Sequence, residues 1–290
     1  MATASAGHHP QPGDRIDLHT HSEVSDGTDT PTQLVAAAAQ AGLSTIALTD
    51  HDTFAGIAEA LAAGSVYGVQ VLAGVEISTE LNGISVHLLG YGADPEEPGL
   101  AAALEQLRRS RADRTPQMLA ALAALGMPID PEILRVEVGE SPSVGRPHIA
   151  DAMIKHGYVT DRGAAFDGYL AVGGPAYVPR FHTPLRQAVD LVHKAGGVAV
   201  IAHPWSRQSW QVLDERALFW LARDHRLDGI EVDHHDHSVQ TRAELRRIAG
   251  RVGLLATGSS DYHGTGKVDH DLGSNTTSAA VLTEILARIS

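Results

Sequence analysis

The 290-residue sequence contains no cysteine. That excludes disulfides and thiolate metal sites, so any metal held by this chain must take nitrogen and oxygen ligands. No apolar run approaches the roughly 20 residues needed to span a bilayer. The opening MATASAGHHPQPGD has no apolar segment of signal-peptide type. Residues 1–13 are expected to form a short disordered arm, and the default location is the cytoplasm. Basic residues are few: Lys and Arg total 22 against 35 Asp and Glu, a formal net charge of −13. Stable, sequence-independent binding to duplex nucleic acid is disfavoured at that charge. What the chain does have is histidine, 17 of them, and histidine supplies the kind of ligand that cysteine does not.

The rhythm along the chain is α/β. RIDLHTH reads as a strand with Ile16, Leu18 and Thr20 on one face and Asp17, His19 and His21 on the other. Asp29-Thr30-Pro31 reads as a helix start, and the helix through QLVAAAAQA stops at Gly42. LSTIALTD, VQVLAGVEIS and GISVHLLGYG follow as strands, with a helix from about Phe54 between the first two. From Asp94 the pattern turns helical, and residues 95–180 are expected to form a mostly helical insertion capping the active site. Strands return in GGVAVIAHP, LDGIEV and LLATGSSD, with helices between and after them. Residues 14–94 and 181–290 are then the main domain. Six or seven βα units interrupted once imply a barrel with much parallel pairing. His21, His51, Glu76, His203, Glu231 and Asp261 all fall at or just past strand ends, where parallel barrels carry their chemistry.

Each polar cluster has an ordinary reading when taken alone. His19 and His21 sit roughly 7 Å apart on one strand face, close enough to share an ion, yet such a pair is often structural. SDG around Asp26 reads as a turn. Asp50 and Asp52 in TDHDT could cap the following helix. Glu76 ends an apolar strand, where an unpaired carboxylate is costly to bury. His87 lies within an apolar strand, as core histidines do. His203 ends a buried strand, and Asp261 and His263 follow another. Together nine acidic or imidazole groups (His19, His21, Asp26, His51, Glu76, His87, His203, Asp261 and His263), with few basic residues to neutralise them, call for divalent cations as counter-charge.

In order, HTHSEVSDG, TDHDT, GVEIS, HLLGY, AHP and SSDYHG resemble the successive motifs of the PHP family, the polymerase and histidinol phosphatase domain. The resemblance runs from Asp14 onward. It implies a distorted (β/α)7 TIM-like barrel with a helical insertion and a trinuclear site of divalent ions (Mn, Fe or Zn). Carried over by position, the first ion takes His19, His21, Glu76 and Asp261. The second takes Glu76, His87 and His203, so Glu76 bridges. The third takes Asp26, His51 and His263. The implied chemistry is hydrolysis of a phosphate ester by metal-bound hydroxide, with Glu76 and Asp261 as catalytic residues and Asp261 orienting the hydroxide or taking its proton. Ser22 and Glu23 have no ligand role.

Three further segments are similar to the branch of the family that acts on nucleotides: GRPHIADAMI with Arg146 and His148, YVPRFHT with Arg180 and His182, and GIEVDHHDHS with His235 and His237. There arginines grip a second phosphate. Arg146, His148, Arg180, His235 and His237 are therefore expected to bind substrate. The implied reaction removes the 3′-phosphate of a nucleoside 3′,5′-bisphosphate, such as adenosine 3′,5′-bisphosphate, leaving AMP. The alternatives are 5′-to-3′ exoribonuclease action on short RNA, hydrolysis of histidinol phosphate or another small phosphomonoester, and, in a different class, a non-catalytic accessory domain. The basic run LRRSRADR, with Arg108, Arg109, Arg111 and Arg114, reads first as a solvated helix face, with attraction of an anionic substrate such as a short RNA end as the second reading.

Overall fold

A computed structural model describes residues 10–139, 144–206 and 208–289; residues 1–9 of the expected arm lie outside the described residues. Thr30 caps the first helix, accepting from Gln33 N while the Gln33 side chain accepts from Thr30 N. With Pro31 in the first turn, this is a reciprocal cap that defines where the helix begins. The chain then runs β1 (Ile16–Thr20), α1 (Pro31–Gln40), β2 (Thr45–Leu48), α2 (Ile57–Tyr67), β3 (Gln70–Leu81) and β4 (Ile84–Tyr91). A helical stretch follows: α3 (Pro98–Ala124), α4 (Pro131–Val138), α5 (Arg146–Lys155) and α6 (Arg162–Ala165). The remainder is β5 (Thr183–Pro184), α7 (Leu185–Lys194), β6 (Val198–Ile201), α8 (Glu215–Asp224), β7 (Gly229–Asp233), α9 (Val239–Val252), β8 (Leu255–Gly258) and α10 (Ala279–Arg288).

The strands form a nearly closed seven-stranded barrel in the order β1-β2-β3-β4-β6-β7-β8, with the two-residue β5 pairing the far end of β3. Bridges from Thr20 to Tyr262 and from Ile16 to Thr277 bring the last strand region back to the first. Pairing is not parallel throughout. β4 runs antiparallel to both β3 and β6, because Asn82 and Gly83 turn the chain with φ of 51° and 78°. Two residues can close a hairpin but cannot make a parallel crossover. Asn-Gly between two apolar runs is a hairpin signal readable in the sequence.

Barrel strands are buried on both faces, which explains their near-continuous apolar runs. In β4, Val86 and Leu88 pack with Leu100, Leu104 and Leu107 of α3 and with Val189 and Val192 of α7, whereas Leu89 and Tyr91 join Leu18, Leu72 and Val200. The second half of α3 belongs to a different cluster, where Met118 and Leu122 meet Ile149, Met153 and Leu170. One helix is thus shared between the barrel and the helical stretch.

The fully buried Tyr91 donates its hydroxyl to Leu18 O at 2.9 Å, tying β4 to β1. Tyr91→Phe leaves that carbonyl without this donor, so urea denaturation should show a loss of about 1–3 kcal/mol.

Candidate metal centre

Glu76 lies at the centre of the rim. It is 1% exposed, and five imidazoles surround its carboxylate. His87 Nδ1 (2.7 Å) and His203 Nε2 (3.3 Å) face Oε1; His19 Nε2 (3.4 Å), His21 Nε2 (3.2 Å) and His51 Nδ1 (3.0 Å) face Oε2. Burial alone would push its pKa up, but His51, His87 and His19 hold it well below the usual carboxylate range. Asp261, 3% exposed, turns Oδ1 toward His19 Nε2, His21 Nε2 and His263 Nδ1, each at 3.5 Å. Asp26 stands 3.3 Å from His263 Nε2, 3.7 Å from His51 Nε2 and 3.8 Å from His21 Nδ1.

All nine expected ligands therefore converge on one rim. Glu76 with His87 and His203 forms one group, and Asp26 with His51 and His263 another. His21 lies between groups, since it faces Glu76 and Asp261 while its ring stacks on that of His263 at 4.1 Å. Four sets of residues here could each hold an ion: His21, Asp26, His51 and His263; His19, His21 and Glu76; His51, Glu76 and His87; and His234, Asp261 and His270. The donors fit metal binding chemically. His87 and His263 are pushed down by burial to about 3 and about 4, and His203 is also lowered by burial, so these rings are neutral and their lone pairs are available. Buried His51 Nδ1 makes no hydrogen bond although Glu76 Oε2 is 3.0 Å away, an arrangement an intervening cation would satisfy.

Local structure explains the convergence. Gly27 allows the turn that places Asp26, because a Cβ there would sit 2.7 Å from His21 O. Asp50 accepts from Ser22 N (2.8 Å), Ser22 Oγ (2.7 Å) and Ser25 Oγ (2.7 Å), bracing the same turn. Asp50 and Asp52 are not helix caps, contrary to one reading of TDHDT; the position before α2 is Gly56, with no side-chain cap. Asp52, His203 and Asp261 adopt left-handed backbones with φ of 57°, 28° and 53°, a strained conformation for residues with a Cβ.

A second charged centre lies beside the first. Asp52 Oδ2 is 2.8 Å from Arg111 Nη2 and 3.6 Å from Arg180 Nη1, and Arg180 Nη2 donates to Ser78 Oγ at 2.7 Å. Burial opposes ionisation of Asp52, but Arg111 and Arg180 hold it down at about 2. Arg114 is lowered to about 9 by burial and by repulsion from Arg146 and Arg111. Arg180 is lowered by burial and Arg111, despite Asp52, with Arg114 and Arg146 adding to the effect. Arg111 and Arg114 are 5% and 6% exposed, so the basic run is not a solvated face. Arg111 and Arg114 turn inward and Arg108 donates to Asp52 O at 2.7 Å, while Arg109 stays outside with Glu105. Buried Arg111 Nε and Arg180 Nη1 have no hydrogen-bond partner.

The other expected substrate residues are spread around these centres. Arg146 lies over the rings of Phe166 (5.3 Å) and Tyr177 (5.8 Å) and donates to Leu170 O. His148 is buried and accepts from Gly145 N at 3.0 Å. His237 is buried, with Nδ1 2.9 Å from Val232 O and Nε2 without a partner. His235 is exposed and packs on His270 at 4.7 Å, apart from the nine-ligand cluster. Residues absent from the expected set also take part. Glu231 faces His19 Nδ1 at 3.3 Å and accepts from His203 N at 2.7 Å; it lies mid-strand in β7 and not at the strand end expected from LDGIEV. His234 and Lys267 flank Asp261, and neither belongs to a recurring spacing.

Comparisons with known proteins follow the same lines. The PHP domain profile matches residues 17–128. Over 260 residues the chain is 38% identical to the 3′,5′-nucleoside bisphosphate phosphatase of Chromobacterium violaceum, covering 89% of this chain and 90% of that protein. It is 34% identical over 258 residues to a 5′-3′ exoribonuclease of Haemophilus influenzae, covering 86% and 90%. A Bifidobacterium adolescentis protein, described as a candidate metal-dependent phosphoesterase, superposes with a TM-score of 0.90 at 35% identity, covering 97% and 98%.

Asp26→Ala should lower bound divalent metal by about one equivalent per chain in elemental analysis, leaving the ions around Glu76 in place. Unchanged metal content would remove Asp26 from the ligand set.

Proposed function

The chain belongs to the PHP domain family, and on that premise we propose that it is a metal-dependent phosphoesterase that removes the 3′-phosphate from nucleoside 3′,5′-bisphosphates, such as adenosine 3′,5′-bisphosphate. The observation that carries this reading is the pairing of two centres along one strand. Glu76 and Ser78 are two residues apart on β3, roughly 7 Å by strand geometry. The first anchors the ligand cluster, and the second touches the arginine cluster. A substrate with two phosphates on one ribose matches two such centres.

In this reading three divalent ions, Mn, Fe or Zn, are held by His19, His21, Glu76 and Asp261; by Glu76, His87 and His203; and by Asp26, His51 and His263. Such ions supply an activated water and charge stabilisation for the transferring phosphoryl group. The chain's own residues do the rest. Arg111, Arg180, Arg114 and Arg146 bind the second phosphate through charge-assisted hydrogen bonds, which that anion supports better than Asp52 alone. Asp261 orients the attacking water. The described part of residues 95–180 contributes all four arginines, Arg111 and Arg114 from α3, Arg146 from α5 and Arg180 at its end, and keeps bulk water from the second phosphate.

The kinship to an exoribonuclease supports a second activity on short RNA, in which the arginines take the 5′-phosphate and the scissile bond replaces the 3′-phosphate. The burial of Arg111 and Arg114 favours the small substrate over a long chain.

With Mn²⁺, phosphate release should be compared for adenosine 3′,5′-bisphosphate, 3′-AMP, 5′-AMP and histidinol phosphate, and release of mononucleotides should be followed for a short 5′-phosphorylated RNA. The bisphosphate should exceed 3′-AMP in kcat/KM by roughly 10- to 100-fold, the worth of one or two charge-assisted contacts. Arg180→Met should erase that preference with metal content unchanged. Equal rates on the bisphosphate and both monophosphates would sink the two-centre reading.

A further inference from the structure

Asp261 has two unlike sides. Oδ1 faces three histidines of the ligand cluster, while Oδ2 faces the ammonium of Lys267 and lies 3.3 Å from His234 Nε2. His234 is fully buried, and its Nδ1 accepts from Asp236 N at 3.1 Å. Nε2 is then the nitrogen left to donate, and it is aimed at Asp261 Oδ2. Among the described residues, Lys267 is the only lysine or arginine ion-paired with Asp26, Glu76, Glu231 or Asp261.

The position of Lys267 is built by contacts of the two residues before it. Thr265 N donates to Thr28 Oγ1 at 2.9 Å, and Gly266 N donates to His263 O at 3.2 Å. Arg162 Nη1 donates to Gly266 O at 2.6 Å while Nε and Nη2 grip Asp151 at 2.7 and 2.5 Å. A Cβ on Gly266 would fall 2.6 Å from Arg162 Nη1. The loop carrying the lysine is therefore tied both to the turn after β1 and to the helical stretch.

We propose that Lys267, together with His234, is a positioning residue for Asp261: the pair holds Oδ2 so that only Oδ1 is presented to the metal ions. This rests on the ligand assignment in the functional reading above. A carboxylate gripped on one oxygen has a fixed rotation and a single coordinating oxygen. Released, it can chelate through both oxygens or swing away. Outer partners of this kind typically change metal affinity or activity by 10- to 100-fold when removed. The contribution is made by the charged head, since the stem reaches the carboxylate from a loop anchored elsewhere.

Two variants separate charge from packing: Lys267→Met keeps the stem and removes the charge, and Lys267→Arg keeps a cationic donor. Each would be loaded with Mn²⁺ and compared with the wild type by electron paramagnetic resonance, metal analysis and steady-state kinetics. K267M should retain its metal at saturating Mn²⁺ but show an altered Mn²⁺ spectrum, with kcat lowered roughly 10- to 100-fold and KM little changed. K267R should recover the wild-type spectrum and most of kcat. His234→Gln, which keeps a donor, should lose less than His234→Ala. A wild-type spectrum and kcat in K267M, or a K267R no better than K267M, overturns the proposal. So does loss of metal from K267M at saturating Mn²⁺, which would make the lysine a determinant of binding and not of orientation. If the wild type releases phosphate from none of the substrates, the functional reading fails, and the spectra alone decide the role of Lys267.

Discussion

A buried carboxylate surrounded by imidazoles organises this molecule. Taking an ionised Glu76 out of water is costly unless opposite charge or donors replace the solvent. Five histidines from β1, β4 and the segments after β1, β2 and β6 meet it within 3.4 Å. They can do so only if those strand ends gather on one rim. A barrel provides that gathering, and a hairpin at Asn82-Gly83 sets His87 of β4 beside β3. The left-handed backbones at Asp52, His203 and Asp261 fit the same requirement: local strain is tolerated where the surrounding cluster over-determines the geometry.

Around Glu76 the protein keeps two charge systems in balance. One is an excess of carboxylates and histidines that calls for cations. The other is an excess of guanidiniums that calls for an anion, with Asp52 as the partner of Arg111 and Arg180. They touch through neighbouring residues, His51 belonging to the first and Asp52 to the second. Each system lacks the charge that a metal-bound phosphate substrate would bring to it. In a chain with net charge −13, Arg111, Arg114, Arg146 and Arg180 nevertheless lie close enough to repel one another.

The expected elements largely match those observed, because they rest on local physics. Thr30-Pro31 starts a helix through its own hydrogen bonds, and buried strands show as apolar runs whatever they pack against. The reversal of β4 was also legible in Asn-Gly, though the alternation of strands and helices pointed toward parallel pairing. β5 was not legible, since two residues pairing the end of β3 leave no periodic trace. The helical stretch was visible as a change of pattern, but the sharing of α3 between two cores was not. Its apolar positions repeat in the same way on both halves.

For the site the division is clearer. Nine potential ligands could be named because the order of their motifs along the chain resembles that of the PHP family, and motif order is a property of the chain itself. The partners of those groups could not be named. Arg111 and Arg114 read by residue type as a solvated face, although their spacing continues the buried stripe of Leu100, Leu104, Leu107, Met118 and Leu122 on α3; that Arg111 faces Asp52 and Arg114 faces Val178 O is decided by packing alone. Lys267 sits in a loop without pattern and reaches Asp261 because Thr28 and Arg162, far away in sequence, hold that loop. Residue type and periodicity are local and survive in one dimension; which charge faces which depends on how distant segments pack, and that exists only once the barrel has closed.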